Sequence, residues 1–284
     1  MANSINTNRG ALIALQNLNA TNKSLETTQN RVNTGLKIST AKDNGAIFAI
    51  ATAQRAEMGA QDAVKQSLQR GQSIVDVALA AGETVTEALT ELKSLAVAIQ
   101  DSVEGSSSET KLMADFEAIV KEIHTSLAGA TFDGVNIFKA GTLVEVTVNT
   151  AATNNKFQLK AAADPAAALS VEFGGTATPA TGAWAVPAAD KRDEYTPAAV
   201  EAAINDFTSI LADFGTKSKS IERQLTFVGK FQDSLETGIG NLVDADLAKE
   251  SARLTALQTK QQLGVQALSI ANQASSIVLN LFRG

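Results

Sequence analysis

The first hydrophobic pattern of the chain is a stripe within its first 36 residues. Apolar residues recur there at steps of three and four, the spacing of one face of an α-helix. Asn22 and Gln29 interrupt the stripe, so the predicted face is only partly apolar. Gly35 and neighbouring β-branched residues then break the pattern, and we predict that the helix ends there. The stripe consists of Leu12, Leu15, Leu18, Asn22, Leu25, Gln29, Val32 and Leu36.

A second, much longer helix is predicted to begin near Asp43 or Asn44, either of which can cap it, and to run to about Val103. Its apolar residues alternate steps of four and three over more than three repeats, which favours a coiled-coil seam. A helix of about 60 residues is about 90 Å long, far longer than a compact domain needs. The seam consists of Ala78, Gly82, Val85, Leu89, Leu92, Ala96, Ile99 and Val103.

A third helix is predicted to be capped by Ser108 after a turn at residues 104–108, with its body over 111–127. We expect it to fold back on the second helix. The turn Phe132-Asp133-Gly134 follows it.

The middle of the chain has a different pattern. All four prolines lie between Pro165 and Pro197, so the flanks lack the residue that most reliably breaks helices. Alternating and β-branched residues predict strands at 143–148, 157–159 and 169–173. Residues 176–187 are interpreted as a surface loop, either ordered or flexible.

Helix resumes near Thr196, with Pro197 in the first turn. Asp244 or Asp246 is predicted to cap a last helix whose seam again alternates steps of three and four. Val265, Ile270, Ile277 and Leu281 widen this seam, and a helix that is apolar nearly all round must be buried. The seam is Leu254, Leu257, Gln261, Gly264, Leu268, Ala271, Ser275, Val278 and Phe282.

Composition narrows the function classes. The net charge is −6, which argues against nucleic acid as a main partner, and no apolar run is long enough to predict a membrane span. The chain has no Cys, so disulfides and thiolate metal sites are excluded. Residues 1–10 lack the pattern of a cleavable secretory signal, and an exported protein of this kind would leave by another route.

Candidate chemistry is sparse. His124 is the only His, and it is predicted to be solvated or packed, since no carboxylate cluster has metal-ligand spacing. We expect no cofactor, no metal and no enzymatic activity. Gly71, Gly82 and Gly264 lie within helical patterns and are interpreted as points of close contact, with hinges as the alternative.

Several separate motifs resemble the bacterial flagellins. The segment 4–8 resembles the start of a flagellin, and 131–138 resembles the end of the family's N-terminal region. Between them, 31–43 resembles the family's segment Arg-Leu-Ser-Ser-Gly-Leu-Arg-Ile-Asn-Ser-Ala-Lys-Asp. The segments 243–250, 271–274 and 278–283 resemble its C-terminal region. The match covers both flanks in the family's order, roughly four-fifths of the chain.

The resemblance implies a mainly α fold, a long antiparallel helical rod or coiled-coil bundle with a small central β element. It implies that 1–40 and 241–284 form an inner helical layer, that 41–138 and 196–240 form a helical rod, and that 139–195 form a small outer element. The C-terminal helix is expected to be the more deeply buried partner, and both ends are expected to order only on assembly.

The resemblance also implies a structural subunit of the extracellular flagellar filament used for swimming. Export would use the flagellar type III apparatus, with a chaperone, a filament cap and hook-junction proteins as partners. Neither nucleic acid nor membrane is expected. The residues expected to carry self-assembly are Leu12, Leu15, Leu18, Leu25, Val32, Leu36, Leu254, Leu257, Leu268, Ile270, Val278 and Phe282.

Two further site predictions come from the resemblance. The family's immune-receptor epitope has an Arg where this chain has Glu91, four residues before Leu95, and Glu117 is matched to its acidic residue. The charge reversal predicts weak receptor binding. The candidates for O-glycosylation, with unmodified side chains as the equal alternative, are Thr142, Thr147, Thr176, Thr178 and Thr181.

Two alternatives to a flagellin share features of this sequence. A hook–filament junction protein shares such terminal helices, but the C-terminal motif and the short middle favour a flagellin. A secreted glycan adhesin would use the central β segment and Trp184.

Overall fold

Long helices make up most of the described chain. The structure, a computed structural model, describes residues 8–139, 141–150, 156–160, 165, 173, 176–178, 183–185 and 191–281, with backbone only for 176–178, 183–185 and 274–281. The chain divides into two compact units. We call Met1–Met58 with Asp233–Gly284 the terminal unit, and Gly59–Gln232 the central unit.

The mainly α fold with a small β element is confirmed. The helices are α1 (Arg9–Thr34), α2 (Gly45–Asp101), α3 (Ser107–Gly129), α4 (Lys191–Glu194), α5 (Pro197–Val243) and α6 (Leu247–Leu281). The strands are β1 (Val144–Thr147), β2 (Lys156–Leu159), β3 (Thr176–Thr178) and β4 (Ala183–Ala185). Strands β1 and β2 pair antiparallel with Val146 opposite Phe157, and β3 and β4 pair antiparallel with Ala177 opposite Trp184.

Short polar side chains begin the helices. Asn44 caps α2, because its Oδ1 accepts the N–H of Ile47 at 3.1 Å. Asp246 caps α6 through a bond from the Lys249 N–H to its Oδ1, also 3.1 Å long. The sequence left open which of two residues caps each of these helices, and the structure selects one.

The boundary between α2 and α3 corrects two predictions. Helix α2 ends at Asp101, and Val103 lies beyond it with 78% of its surface exposed, so Val103 is not part of the seam. Ser106, not Ser108, caps α3 by accepting the Glu109 N–H. Gly105 turns the chain with a φ of 74°, in the left-handed region that glycine adopts without strain.

The central unit has its core along a heptad seam of α2. This seam begins at Gln61, earlier than predicted, and its residues contact α3 and α5. Helix α5 runs antiparallel to α2, since Gln72 meets Ser218 and Lys93 meets Glu201. The buried seam is Gln61, Val64, Leu68, Gly71, Val75, Ala78, Gly82, Val85, Leu89, Leu92, Ala96 and Ile99.

Aromatic rings pack against one another in the core of the central unit. Phe116 of α3 stacks on Tyr195, with centroids 4.3 Å apart, and meets Phe173 edge-on at 5.4 Å. Phe138 packs against Phe207 and Phe214 of α5. Six of the thirteen aromatic residues of the chain therefore lie in two ring groups within this core.

The small β element differs from the prediction in one respect. Strands β1 and β2 lie where the alternating pattern predicts them. The prediction of a loop was wrong at 176–178 and 183–185, because these residues form the antiparallel strands β3 and β4, and the rest of 176–187 lies outside the described residues. Apart from Phe173, the strand predicted over 169–173 lies outside the described residues.

Candidate assembly surface

Helices α1 and α6 pack together as an antiparallel pair in the terminal unit. Asn8 Nδ2 donates to the Ala271 carbonyl at 2.7 Å, and Gln261 Nε2 donates to Asn22 Oδ1 at 2.8 Å. Further along, Arg31 forms an ion pair with Glu250 at 3.2 Å. These contacts follow α1 forwards and α6 backwards, so the pairing has one continuous register.

The turn after α1 closes one end of the pair. Gly35 has a φ of 72° and donates its N–H to the Arg31 carbonyl, a left-handed helix cap. Its own carbonyl then accepts the Ala245 N–H at 2.8 Å, and the Lys37 N–H reaches the Val243 carbonyl at 2.7 Å. A small core lies beside this turn and consists of Ile38, Ala51, Ile239 and Val243, with Leu36 packed against it.

The segment after this turn is held by one carboxylate. Asp43 Oδ2 accepts the backbone N–H of Ser39 at 3.1 Å and that of Thr40 at 2.9 Å. The hydrogen bond from the Thr40 backbone, followed by that from Ser39, lowers the pKa of Asp43 below its usual value. This exposed turn therefore favours an ionised Asp43 and leads directly into the cap of α2.

The seam that α1 presents to α6 agrees with the predicted stripe at three positions and lies one position earlier at the other four, Ala11, Ala14, Thr21 and Thr28. Its buried residues are Thr21, Leu25 and Thr28. Of the residues that we expect to carry self-assembly, Leu18, Leu25 and Val32 lie on this seam. Small residues let the two helices approach closely, and at those four positions alanine or threonine faces α6. The α1 seam is Ala11, Ala14, Leu18, Thr21, Leu25, Thr28 and Val32.

Helix α6 presents the residues that its spacing predicts. Leu254, Leu257 and Leu268 are half-buried, as are Gln261 and Gly264 between them. A Cβ at Gly264 would lie 3.3 Å from Leu18 Cδ1, so this glycine is a point of close contact between the helices. The side chain of Val278 and all of Phe282 lie outside the described part of the structure.

Large apolar side chains remain exposed after α1 and α6 have packed together. Leu12 and Leu15 of α1 are 60% and 43% exposed, and Ile270 of α6 is 68% exposed. Ile13, Leu263 and Val265 are exposed as well. Apolar patches of this kind mark protein–protein contacts. We call these six residues the outer apolar face of the terminal unit.

Comparisons with known proteins identify the family. The N-terminal helical region of bacterial flagellins matches residues 5–142, and the C-terminal helical region matches residues 198–282. Flagellin FljM of Caulobacter vibrioides is 50% identical over 281 residues, 99% of both chains. Flagellin FljK of the same organism is 48% identical over 281 residues, also 99% of both chains. A flagellin of Brucella melitensis is 38% identical over 290 residues, 99% of both chains.

The chain belongs to the flagellin family. It is therefore a structural subunit that polymerises into the bacterial flagellar filament, which serves motility, and it is not an enzyme. The crystal structure of Bacillus cereus flagellin is 17% identical, with a TM-score of 0.45 over 57% of this chain and 88% of its own. The family assignment rests on the sequence matches and not on that structure.

The positions matched to the immune-receptor epitope lie in the central unit of this flagellin. Glu91 is exposed on α2 and Leu95 is half-buried one turn later. Glu117 of α3 is engaged within the chain, since its Oε1 accepts Lys191 Nζ at 2.6 Å and the Tyr195 hydroxyl at 3.4 Å. Burial, followed by the charge of Glu117, raises the pKa of Tyr195.

Three of the five threonine candidates for glycosylation lie on strands, Thr147 on β1 and Thr176 and Thr178 on β3. Thr142 and Thr147 are half-buried, and the Thr147 N–H donates to Ser67 Oγ at 3.0 Å. Thr176 and Thr178 lie on β3, where the backbone alone is described, and Thr181 lies outside the described residues.

Within the described residues, no group of three or more His, Asp or Glu side chains is placed to hold a metal ion. His124 is packed in the interior of the central unit, 1% exposed. None of the described helices combines the length and apolar character of a bilayer span.

A cluster of charges that the sequence patterns did not single out joins α4 to the turn between α2 and α3. Arg192 pairs with the carboxylate of Glu109, and its guanidinium also donates to the carbonyls of Gln100 and Ser102. In return, Gln100 Nε2 donates to the Arg192 carbonyl at 2.8 Å. We call this set the Arg192 clamp.

Proposed function

We propose that the outer apolar face of the terminal unit is the surface through which this flagellin is buried by other copies inside the filament. The observation that carries the proposal is the exposure of Leu12 and Ile270 after α1 and α6 have already packed together. Burying such side chains is worth about 1.5–3 kcal/mol each, so a polymer that covers them gains stability. Helices packed in this way depend on tertiary contacts, because isolated helices in water are marginal.

In this proposal the self-assembly residues form two groups, one that holds α1 and α6 together within a copy and one that contacts neighbouring copies. Leu18, Leu25, Val32, Leu254, Leu257 and Leu268 join α1 to α6 within one copy. Leu12, Leu15 and Ile270 face the neighbouring copies, and Leu36 anchors the turn at the end of α1. Val278 and Phe282 continue the α6 seam in the sequence pattern, and on that pattern alone we assign them to the first group.

The layer organisation belongs to the same proposal. Residues 1–40 and 241–284 would form the inner helical layer, 41–138 and 196–240 the rod in the filament wall, and 139–195 an outer element. The pairing of α1 with α6 supports the first assignment, and the buried heptad seam of α2 supports the second.

Secretion is a further part of the proposal. We infer that this flagellin is secreted unfolded through the flagellar type III apparatus, with an export chaperone, a filament cap and hook-junction proteins as partners. Immunoblots of culture supernatant from a strain without a functional flagellar export apparatus test this. The flagellin should disappear from the supernatant, while a protein with a cleavable secretory signal should remain there. Unchanged secretion would contradict the route without affecting the assembly surface.

The assembly surface is tested by polar substitutions on its outer face. Leu12→Ser and Ile270→Ser should leave the helix content of the monomer unchanged and should raise the critical concentration for polymerisation at least about tenfold, which corresponds to about 1.4 kcal/mol. Leu143→Ser is the matched control, since it makes the same change at an exposed leucine of the central unit. Sedimentation of polymer from monomer over a concentration series gives the measurement. If both terminal variants polymerise like the control, the proposed surface is wrong.

A further inference from the structure

Helix α5 carries an aromatic pair on the outside of the central unit. Phe227 is 57% exposed, and its ring stacks in parallel on Phe231, with centroids 6.0 Å apart and an interplanar angle of 6°. The two residues are four apart on the helix and so share one face. Val228 beside them is buried in the core, which fixes the helix in this orientation. The stack therefore presents a flat apolar surface to solvent.

The aromatic pair has basic neighbours in an acidic unit. Arg223 lies one turn before Phe227, and Lys230 lies three residues after it, both exposed. The central unit as a whole has 22 Asp and Glu residues against 14 Lys and Arg, a net charge of −8. We call Arg223, Phe227, Lys230 and Phe231 the aromatic patch. Its chemistry fits an acidic surface with space for two rings.

The symmetry of a filament decides where such a patch can bind. A helical polymer repeats one head-to-tail contact, in which two different surfaces of the same chain meet. The aromatic patch of one copy therefore cannot bind the same patch of the next copy. A complementary surface has to lie elsewhere on this chain.

Helix α2 carries a surface with the complementary properties. Glu83, Glu87 and Glu91 are all exposed and lie four residues apart, so they form one column. No ion pair found among the described residues includes any of the three. Like charges at this spacing destabilise a helix unless a cation covers them. We call this column and the exposed small residues around it the acidic face; the small residues are Ala80, Thr84, Thr90 and Ser94.

We propose that the aromatic patch of one copy binds the acidic face of α2 on a neighbouring copy in the filament. The two rings lie on the small residues of the acidic face, and Arg223 and Lys230 meet its glutamates. Covering the rings supplies the apolar burial, and the opposite charges select the register. This contact rests on the polymerisation of the chain and lies in the central unit, separate from the outer apolar face.

Substitution of the exposed ring tests the apolar half of the proposal. Phe227→Ser should raise the critical concentration for polymerisation about tenfold, with the thermal melting of the monomer unchanged, because Phe227 projects from the core. Phe227→Trp keeps an aromatic surface and should stay within about twofold of the wild type. Polymerisation of Phe227→Ser at the wild-type critical concentration would overturn the proposal. The wild-type protein distinguishes failure of this contact from failure of polymerisation itself. If the wild type did not polymerise, the result would count against assembly in general.

A charge exchange tests which surface receives the patch. Arg223→Glu should raise the critical concentration, and adding Glu87→Lys to the same chain should restore it to near the wild-type value. The control adds Glu122→Lys to Arg223→Glu, which gives the same net charge with the new lysine at an exposed site on α3. If both lysines restored the critical concentration equally, the effect would be one of net charge alone. If Glu87→Lys did not restore it, the aromatic patch would bind a different surface. Either result would overturn the assignment to the acidic face.

Discussion

At the scale of single residues, glycines inside the helices set how closely elements approach. A Cβ at Gly71 would lie 2.6 Å from a methyl carbon of Val146 on β1, and one at Gly82 would lie 2.2 Å from Leu211 Cδ2 on α5. Together with the contact of Gly264 with Leu18, this confirms that all three glycines are points of close contact. A glycine in a helix costs stability by itself, so these positions are explained by packing.

The substitution Gly71→Ala is expected to destabilise the monomer by about 1–3 kcal/mol, because the new methyl group would displace Val146 in a packed core. Gly59→Ala in the same helix has open space around it and should stabilise by up to about 1 kcal/mol through helix propensity. Urea denaturation followed by circular dichroism measures both. Equal effects of the two substitutions would show that β1 moves away from α2 at little cost.

A second residue-scale prediction concerns Glu91. The resemblance matches this exposed carboxylate to the arginine of the family's immune-receptor epitope, so we expect this flagellin to be a weak activator of the vertebrate flagellin receptor. Glu91→Arg should raise the potency about tenfold or more in a cell reporter assay. Wild-type potency equal to that of the arginine variant would refute the prediction.

At the scale of elements, the Arg192 clamp holds the end of the α2–α3 hairpin. The C-terminal carbonyls of α2 accept hydrogen bonds from Arg192, and the Glu109 carboxylate at the start of α3 accepts both Arg192 and the Gly105 N–H, the latter at 2.6 Å. A cation at a helix C-terminus and an anion at a helix N-terminus are both favourable. The hydrogen bond from Arg192, followed by that from Gly105, lowers the pKa of Glu109 below its usual value of 4.5.

The clamp should make the stability of this flagellin depend on pH in the acid range. A carboxyl with a depressed pKa in the folded state adds stability that is complete above the pKa of the unfolded chain, 4.5. That stability is lost as the pH falls through the lower pKa of the folded state. Glu109→Gln should therefore lower the free energy of unfolding near pH 7 and should differ less from the wild type below pH 4.5.

Urea denaturation of the monomer at a series of pH values measures this difference. Glu104→Gln is the matched control, because it removes a carboxylate from the same turn and Glu104 has no ion pair among those of the described residues. A constant difference between wild type and Glu109→Gln across the pH series would contradict the role of the clamp.

At the scale of the whole molecule, the two units differ in what holds them together. The central unit has a large core with clustered aromatic rings, whereas the α1 seam contains alanines and threonines and leaves leucines outside. Local opening is favoured where few apolar contacts are buried. We therefore expect the terminal unit to open first in the monomer.

Limited proteolysis of soluble monomer should cut residues up to about Leu36 and beyond about Asp244 well before α2. In polymer of the same preparation, both segments should be protected, because neighbouring copies cover them. Mass spectrometry of the fragments identifies the sites. Equal protection of both ends in monomer and polymer would contradict folding coupled to assembly.

Removal of residues 271–284 is a related prediction for the whole chain. It deletes the position where Asn8 contacts the Ala271 carbonyl and the end of the α6 seam. Polymerisation should be abolished, while circular dichroism should still show the helical signal of α2 and the central unit. A truncated chain that polymerises would show that the end of α6 is dispensable.

Much of this fold follows from spacing alone. The α6 seam and the later part of the α2 seam lie where the sequence predicts them, because large apolar residues recur there at steps of three and four over several turns. The family also follows from the sequence, through motifs that need no structure. In these segments local pattern and tertiary packing agree.

Other features depended on the tertiary structure. Four of the seven residues of the α1 seam lie one position before the predicted stripe, because alanine and threonine fit the close approach to α6 and a search for large apolar residues does not select them. The Arg192 clamp joins residues that are 83 positions apart, a distance at which a sequence pattern carries no signal. The sequence by itself therefore determined the helices, the family and the long seams, since these depend on local periodicity. Only packing decided which side of α1 remains exposed, because exposure depends on what the rest of the chain has already covered.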